Sequence, residues 1–106
     1  MEAACRGARA AGGVTVGILP GSDRAAANAW VSIAVATGLG ELRNGLVVRG
    51  ADAVVAIGGA YGTLSEIAFA LKAGKRVVGI GSWGIEGVER AEEPAAAVEA
   101  ALDGLS

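Results

Sequence analysis

At 106 residues, with 53% hydrophobic and only 19% charged positions, the chain is the size of one small domain and too apolar for a disordered segment. A net charge of −2 and an isoelectric point near 5.0 supply no basic field for a phosphodiester backbone, so no nucleic-acid partner is expected. The sequence contains no histidine, which excludes a Ser-His-Asp triad and histidine metal ligation within the chain. Cys5 is the single cysteine, so neither an internal disulfide nor a Cys-x-x-Cys zinc site can form, and packing on a helix is its expected role. No apolar run reaches the roughly 18 residues of a membrane span, and Arg6 and Arg9 interrupt any signal-like core. A cytoplasmic protein without a membrane partner is expected.

In chain order, Met1 to Ala11 has helix-forming composition and stops at Gly12-Gly13. Val14 to Leu19 reads as a strand, apolar except for Thr15, ended by Pro20-Gly21. Ser22 to Ala29 is a loop or a single helical turn, in which Asn28 either makes a turn or touches a ligand. Trp30 to Ala36 is β-leaning and runs into Thr37-Gly38-Leu39-Gly40, a second glycine loop. Glu41 to Gly50 then reads as a helix with Leu42, Leu46 and Val47 towards the core and with Arg43 and Asn44 near its start.

The organising stretch is Asp52 to Glu66. Ala53 to Ile57 is too short for a helix and unbroken by polar residues, which predicts a central parallel strand covered on both faces. Glycines follow at 58, 59 and 62, and from Thr63 a helical pattern places Leu64, Ile67, Ala68 and Leu71 on one side. Strand, glycine loop and helix start together predict an anion seat, with phosphate as its natural guest. Glu66 has two readings: Thr63-x-x-Glu66 is a capping box, or the carboxylate serves chemistry. After Gly74, Lys75 and Arg76 suit a helix C-terminus, and Arg76 to Ile80 is a further strand ending in Gly81-Ser82-Trp83-Gly84. Trp83 either stacks on a base or plugs the core edge. Glu86 to Glu93 reads as an acidic loop, and Pro94 opens a last helix whose Val98 and Leu102 face the sheet. The expected fold is α/β, a Rossmann-like parallel sheet with flanking helices, with the turns at Gly21, Gly38 to Gly40 and Gly58 to Gly62 gathered on one rim.

The phrase Gly59-x-x-Gly62-Thr63-x-x-Glu66 resembles the Pro-Gly-Gly-x-Gly-Thr-x-x-Glu signature of the LOG family, the lysine-decarboxylase-like proteins of the SLOG superfamily. Those proteins are phosphoribohydrolases of nucleoside 5′-monophosphates, notably cytokinin precursors. Gly58 replaces the signature's proline and Ala60 its second glycine; if that position needs φ > 0, the Ala60 methyl reshapes the seat. Arg43 lies nine residues before Asp52, the offset of the family's Arg-Lys pair, but Asn44 stands in place of the lysine. That Arg-Asn version resembles the LOG-like, DprA-related branch, some of whose members resemble molybdenum-cofactor carriers.

The resemblance implies Arg43 and Glu66 as catalytic residues, and Gly21, Thr37, Gly38, Asn44, Gly58, Gly59, Tyr61, Gly62 and Thr63 as ligand contacts. It implies no required cofactor and no metal site, but a bound nucleotide or molybdenum cofactor, and a homodimer or higher homo-oligomer. Two functions follow. One is a carrier of a phosphorylated pterin or nucleotide, which the loss of the lysine and Ala60 favour; the other is hydrolysis of an N-glycosidic bond, with Glu66 stabilising an oxocarbenium-like state. Met1 to Ala4 resembles a phrase that follows the family's second strand, so the N-terminal part of the domain is expected to be lacking. The chain is then expected to be poorly stable alone or to self-associate, and a cooperative thermal transition of a dilute, strict monomer is the result against this.

Overall fold

The computed structural model describes residues 1–105, which form two compact units that divide after Arg43. The first holds helix α1 (Glu2–Ala10), strand β1 (Val16–Leu19) and strand β2 (Ile33–Ala36). β1 and β2 pair in parallel, with Val16 opposite Ile33 and Leu19 opposite Ala36. The strand predicted from Val14 starts two residues later because Thr15 is spent on a side-chain network. Its hydroxyl, 7% exposed as a residue, donates to the Trp30 carbonyl at 2.5 Å and accepts from the Ser32 amide at 2.8 Å. The Ser32 hydroxyl accepts from the Thr15 amide at 3.1 Å. This staple holds Trp30 to Ser32 in a turn, so β2 is shorter than the predicted Trp30 to Ala36 run. Asn28 makes the turn: its Oδ1 accepts from the Trp30 amide at 2.9 Å.

The boundary falls after the first residue of helix α2 (Arg43–Arg49, entered through a 3₁₀ turn over Gly40–Leu42), and the second unit holds the rest of α2 with strand β3 (Ala53–Ile57), helix α3 (Tyr61–Lys72), strand β4 (Arg76–Ile80), strand β5 (Val88–Arg90) and helix α4 (Pro94–Leu102). The three strands are parallel in the order β3-β4-β5. Alternation along β4 sends Val77 to one face, where Val48, Ala56, Ile67 and Ala70 complete a core. It sends Val78 to the other face, against Ala97 and Ala101 of α4.

Four expectations are corrected here. Among the described residues β3 is paired on one side only and β4 is the central strand; an apolar run signals burial but carries no information about strand order. Ile57 is accordingly 64% exposed. Helix α2 buries Asn44 and Val48, whereas Leu42 and Leu46 are 77% and 46% exposed, because the helix phase is shifted by two residues, about half a turn. Helix α4 likewise turns Ala97 and Ala101 inward and leaves Val98 and Leu102 exposed. Small side chains at i and i+4 let the backbone approach the sheet, so bulk is the wrong guide to the inner face. The acidic segment from Glu86 to Glu93 contains β5, a charged edge strand of three residues whose charges hide its pairing.

Two adjacent cations fasten two helix ends. Lys75 Nζ donates to the carbonyls of Val48, Arg49 and Ala51 at 2.7, 3.1 and 2.6 Å, satisfying the last turn of α2. Arg76 Nη1 donates to the carbonyls of Ala100 and Asp103 at 2.7 and 2.6 Å at the end of α4. Its ion pairs with Glu89 and Asp103 are longer, 3.7 and 3.8 Å, and solvent-screened, so the carbonyl bonds carry the effect. Replacing Lys75 by Met keeps the aliphatic stem and removes all three donors. The expected loss is about 2 kcal/mol, read as a midpoint lowered by several degrees in a thermal melt; an unchanged midpoint contradicts the assignment.

Candidate functional site

β3 and β4 end level, with Ile57 opposite Ile80, and the Gly58 amide donates to the Ile80 carbonyl at 3.2 Å. Immediately beyond, Gly58 adopts φ +83° and Gly81 φ +55°, left-handed conformations that glycine takes without a Cβ penalty. The proline of the LOG signature, fixed near φ of about −65°, does not fit this path at residue 58, so the loop leaves its strand differently here. Ala60 has φ −71° and ψ 159°, ordinary extended backbone. Its methyl therefore causes none of the strain that a left-handed position would impose.

Helix α3 starts at Tyr61, with Ala60 as an N-cap whose side chain makes no capping hydrogen bond. The first intrahelical bond runs from the Leu64 amide to the Ala60 carbonyl at 3.1 Å. The amides of Tyr61, Gly62 and Thr63 thus have no acceptor within the helix, and they mark its positive end. A Cβ built on Gly58 or Gly59 meets no atom within 4 Å, so space is open against this backbone. The early start also moves the cap from Thr63, where the sequence places it, to Ala60. Thr63 is the third helical residue rather than the cap, and Glu66 lies a turn further on, half-buried.

Asn44 lies behind this helix start, 5% exposed. Its Nδ2 donates to Ser65 Oγ at 3.1 Å and to the Gly62 carbonyl at 3.5 Å, while Ser65 Oγ donates to the same carbonyl at 2.9 Å. The side-chain amide expected from the sequence to be a ligand contact is engaged with the protein and fixes the first turn of α3. Ser65 escaped the sequence reading; the signal available was a serine three residues after a helix-start glycine, the spacing of a hydroxyl-to-carbonyl back-bond. Trp83 belongs here too. Its Nε1 donates to the Ala60 carbonyl at 3.3 Å, its ring packs against the core, and Tyr61 stacks on it with centroids 6.0 Å apart and planes 27° apart.

Arg43 opens α2 and is half-buried; its Nε is buried with no hydrogen-bond partner, an unusual state for a guanidinium nitrogen. Gly21, Thr37 and Gly38 are brought together in the first unit. Thr37 Oγ1 donates to the Leu19 carbonyl at 2.6 Å, and the Gly38 amide donates to the Gly21 carbonyl at 2.9 Å. The sequence-predicted contacts therefore form two clusters, one in each unit: Gly21, Thr37 and Gly38 in the first, and Asn44 with the 58–63 loop in the second. Among the described residues no group of three or more Cys, Asp or Glu is placed to hold a metal ion, and no helix is long and apolar enough to cross a membrane.

The model of the SLOG cluster4 family matches residues 1–102. A protein of Archaeoglobus fulgidus is 46% identical over 80 residues, 76% of this chain and 52% of the relative, so the chain spans about half the length of that curated relative. Among solved structures, the molybdenum cofactor binding protein from the phototrophic bacterium Rippkaea orientalis is 34% identical with a TM-score of 0.87, over 97% of this chain and 69% of that one. The molybdenum cofactor carrier protein from Chlamydomonas reinhardtii is also 34% identical, with a TM-score of 0.80 over 97% and 68% of the two chains.

Replacing Asn44 by Leu keeps the volume and removes the donor that orders Ser65 and Gly62. A loss of about 1–3 kcal/mol is expected, seen as a lower urea midpoint with unchanged slope. A midpoint equal to the parent's refutes the positioning role.

Proposed function

Because the chain belongs to the SLOG cluster4 family, we propose that it is a carrier that binds a phosphorylated pterin of the molybdenum-cofactor type, with an oxyanion seated on the amides of Tyr61, Gly62 and Thr63. The observation that carries this reading is the start of α3, whose N-cap residue Ala60 offers no side-chain hydrogen bond, placed where β3 ends and open over Gly58 and Gly59. An anion there satisfies the orphan amides and gains from the helix dipole. The cargo is taken from the solved relatives, whose own ligand is the molybdenum cofactor.

In this reading Gly58 and Gly59 admit the ligand close to the backbone, Thr63 adds a hydroxyl in the first turn, and Asn44 with Ser65 keeps the seat rigid. Arg43, whose Nε lacks a partner, and Gly21, Thr37 and Gly38 are residues of the first unit, and their part as ligand contacts is proposed from the family resemblance alone. A carrier requires retention and release with no bond broken, so no acid or base need act. Self-association as a homodimer or larger homo-oligomer is proposed alongside, and no nucleic-acid partner, given the acidic isoelectric point.

The test is incubation of the full chain with neopterin monophosphate and, separately, with AMP, followed by gel filtration, denaturation and chromatography of what is released. The expected result is intact pterin phosphate recovered with the protein and no free adenine in the AMP sample. Adenine release that is abolished in Glu66→Gln contradicts the carrier reading and identifies a phosphoribohydrolase.

A further inference from the structure

We propose that Tyr61, backed by Trp83, is the platform on which the planar heterocycle of the ligand stacks; this rests on the oxyanion seat proposed above and extends it to the other end of the ligand. Of four aromatic side chains in the chain, two meet at the mouth of this one loop. Trp83 is fixed twice, by its core contacts and by its hydrogen bond to Ala60, the residue that caps α3. Tyr61 leans on it yet is 82% exposed, so the outer face of the phenol ring is presented to solvent by a rigid backing. The register of β3 against β4 brings the two loops side by side, since the two strands end level and each is followed at once by its glycine turn.

The amide of Tyr61 belongs to the seat while its ring forms the platform. A ligand held by phosphate on the amide therefore has its ring system within one side-chain length of the phenol. Aromatic faces accept any flat heterocycle by dispersion and quadrupole matching, with little discrimination between them. The chemical class is thus a phosphorylated fused-ring heterocycle, a purine nucleotide or a pterin phosphate. A sugar phosphate alone uses the seat and misses the platform.

Calorimetric titration of the full chain with ribose 5-phosphate, GMP and neopterin monophosphate separates these contributions. The parent is expected to bind the two ring-bearing compounds at least about tenfold more tightly than ribose 5-phosphate. Tyr61→Ala removes that advantage, so that GMP and neopterin monophosphate bind it no more tightly than ribose 5-phosphate does, whereas Tyr61→Phe retains it. The tighter of GMP and neopterin monophosphate identifies which heterocycle the platform serves. Equal binding of all three compounds by the parent, or undiminished GMP and neopterin monophosphate binding by Tyr61→Ala, overturns the platform and leaves the seat standing. Failure of the parent to bind any of the three removes the seat, and the platform with it.

Discussion

The register of one strand pair governs everything at the candidate site. With Ile57 opposite Ile80, β3 and β4 finish on the same level, and the chain leaves both through glycines with positive φ. A shift of one residue would turn every side chain of β3 to the other face. It would also part the Ala60 carbonyl from the Trp83 indole. The register is protected by the core on both sides of β4, since Val77 and Val78 face opposite layers and each is fully buried. Packing that holds the register therefore also sets where the first amides of α3 and the Trp83 ring lie.

A second level of control is polar. Helix starts are ready-made anion sites only when their first turn is ordered, and here the order comes from behind, through Asn44, Ser65 and the Gly62 carbonyl. The residue type is informative: a lysine at position 44 would bring a charge into a position that is 5% exposed, whereas asparagine satisfies two acceptors without one. The change from the Arg-Lys pair of the LOG signature to Arg43-Asn44 thus replaces a charged side chain with a neutral brace.

Much of this was legible in the sequence, for reasons that can be located. Ala53 to Ile57 and Arg76 to Ile80 were bounded correctly because glycine or a charge stands at their ends, and Pro94 opened α4 as its fixed φ requires. Inner faces were harder. Leu42, Leu46, Val98 and Leu102 are the bulkier residues of their segments, but close helix packing selected Val48, Ala97 and Ala101 instead. Strand order, the three-residue β5 and the Asn44–Ser65 link depend on partners distant in sequence, which no local pattern encodes. The start of α3 was misplaced because Thr63-x-x-Glu66 is a well-formed capping box that the preceding loop overrides by entering the helix at Tyr61.

The central claim is that an oxyanion binds the backbone amides at the start of α3, and amide chemical shifts report it directly. Titrating the ¹⁵N-labelled chain with neopterin monophosphate should move the Tyr61, Gly62 and Thr63 amide resonances saturably and together, with Gly58 and Gly59 following and the amides of α4 unmoved. Saturable shifts confined to other segments, with those three amides stationary, would contradict the account.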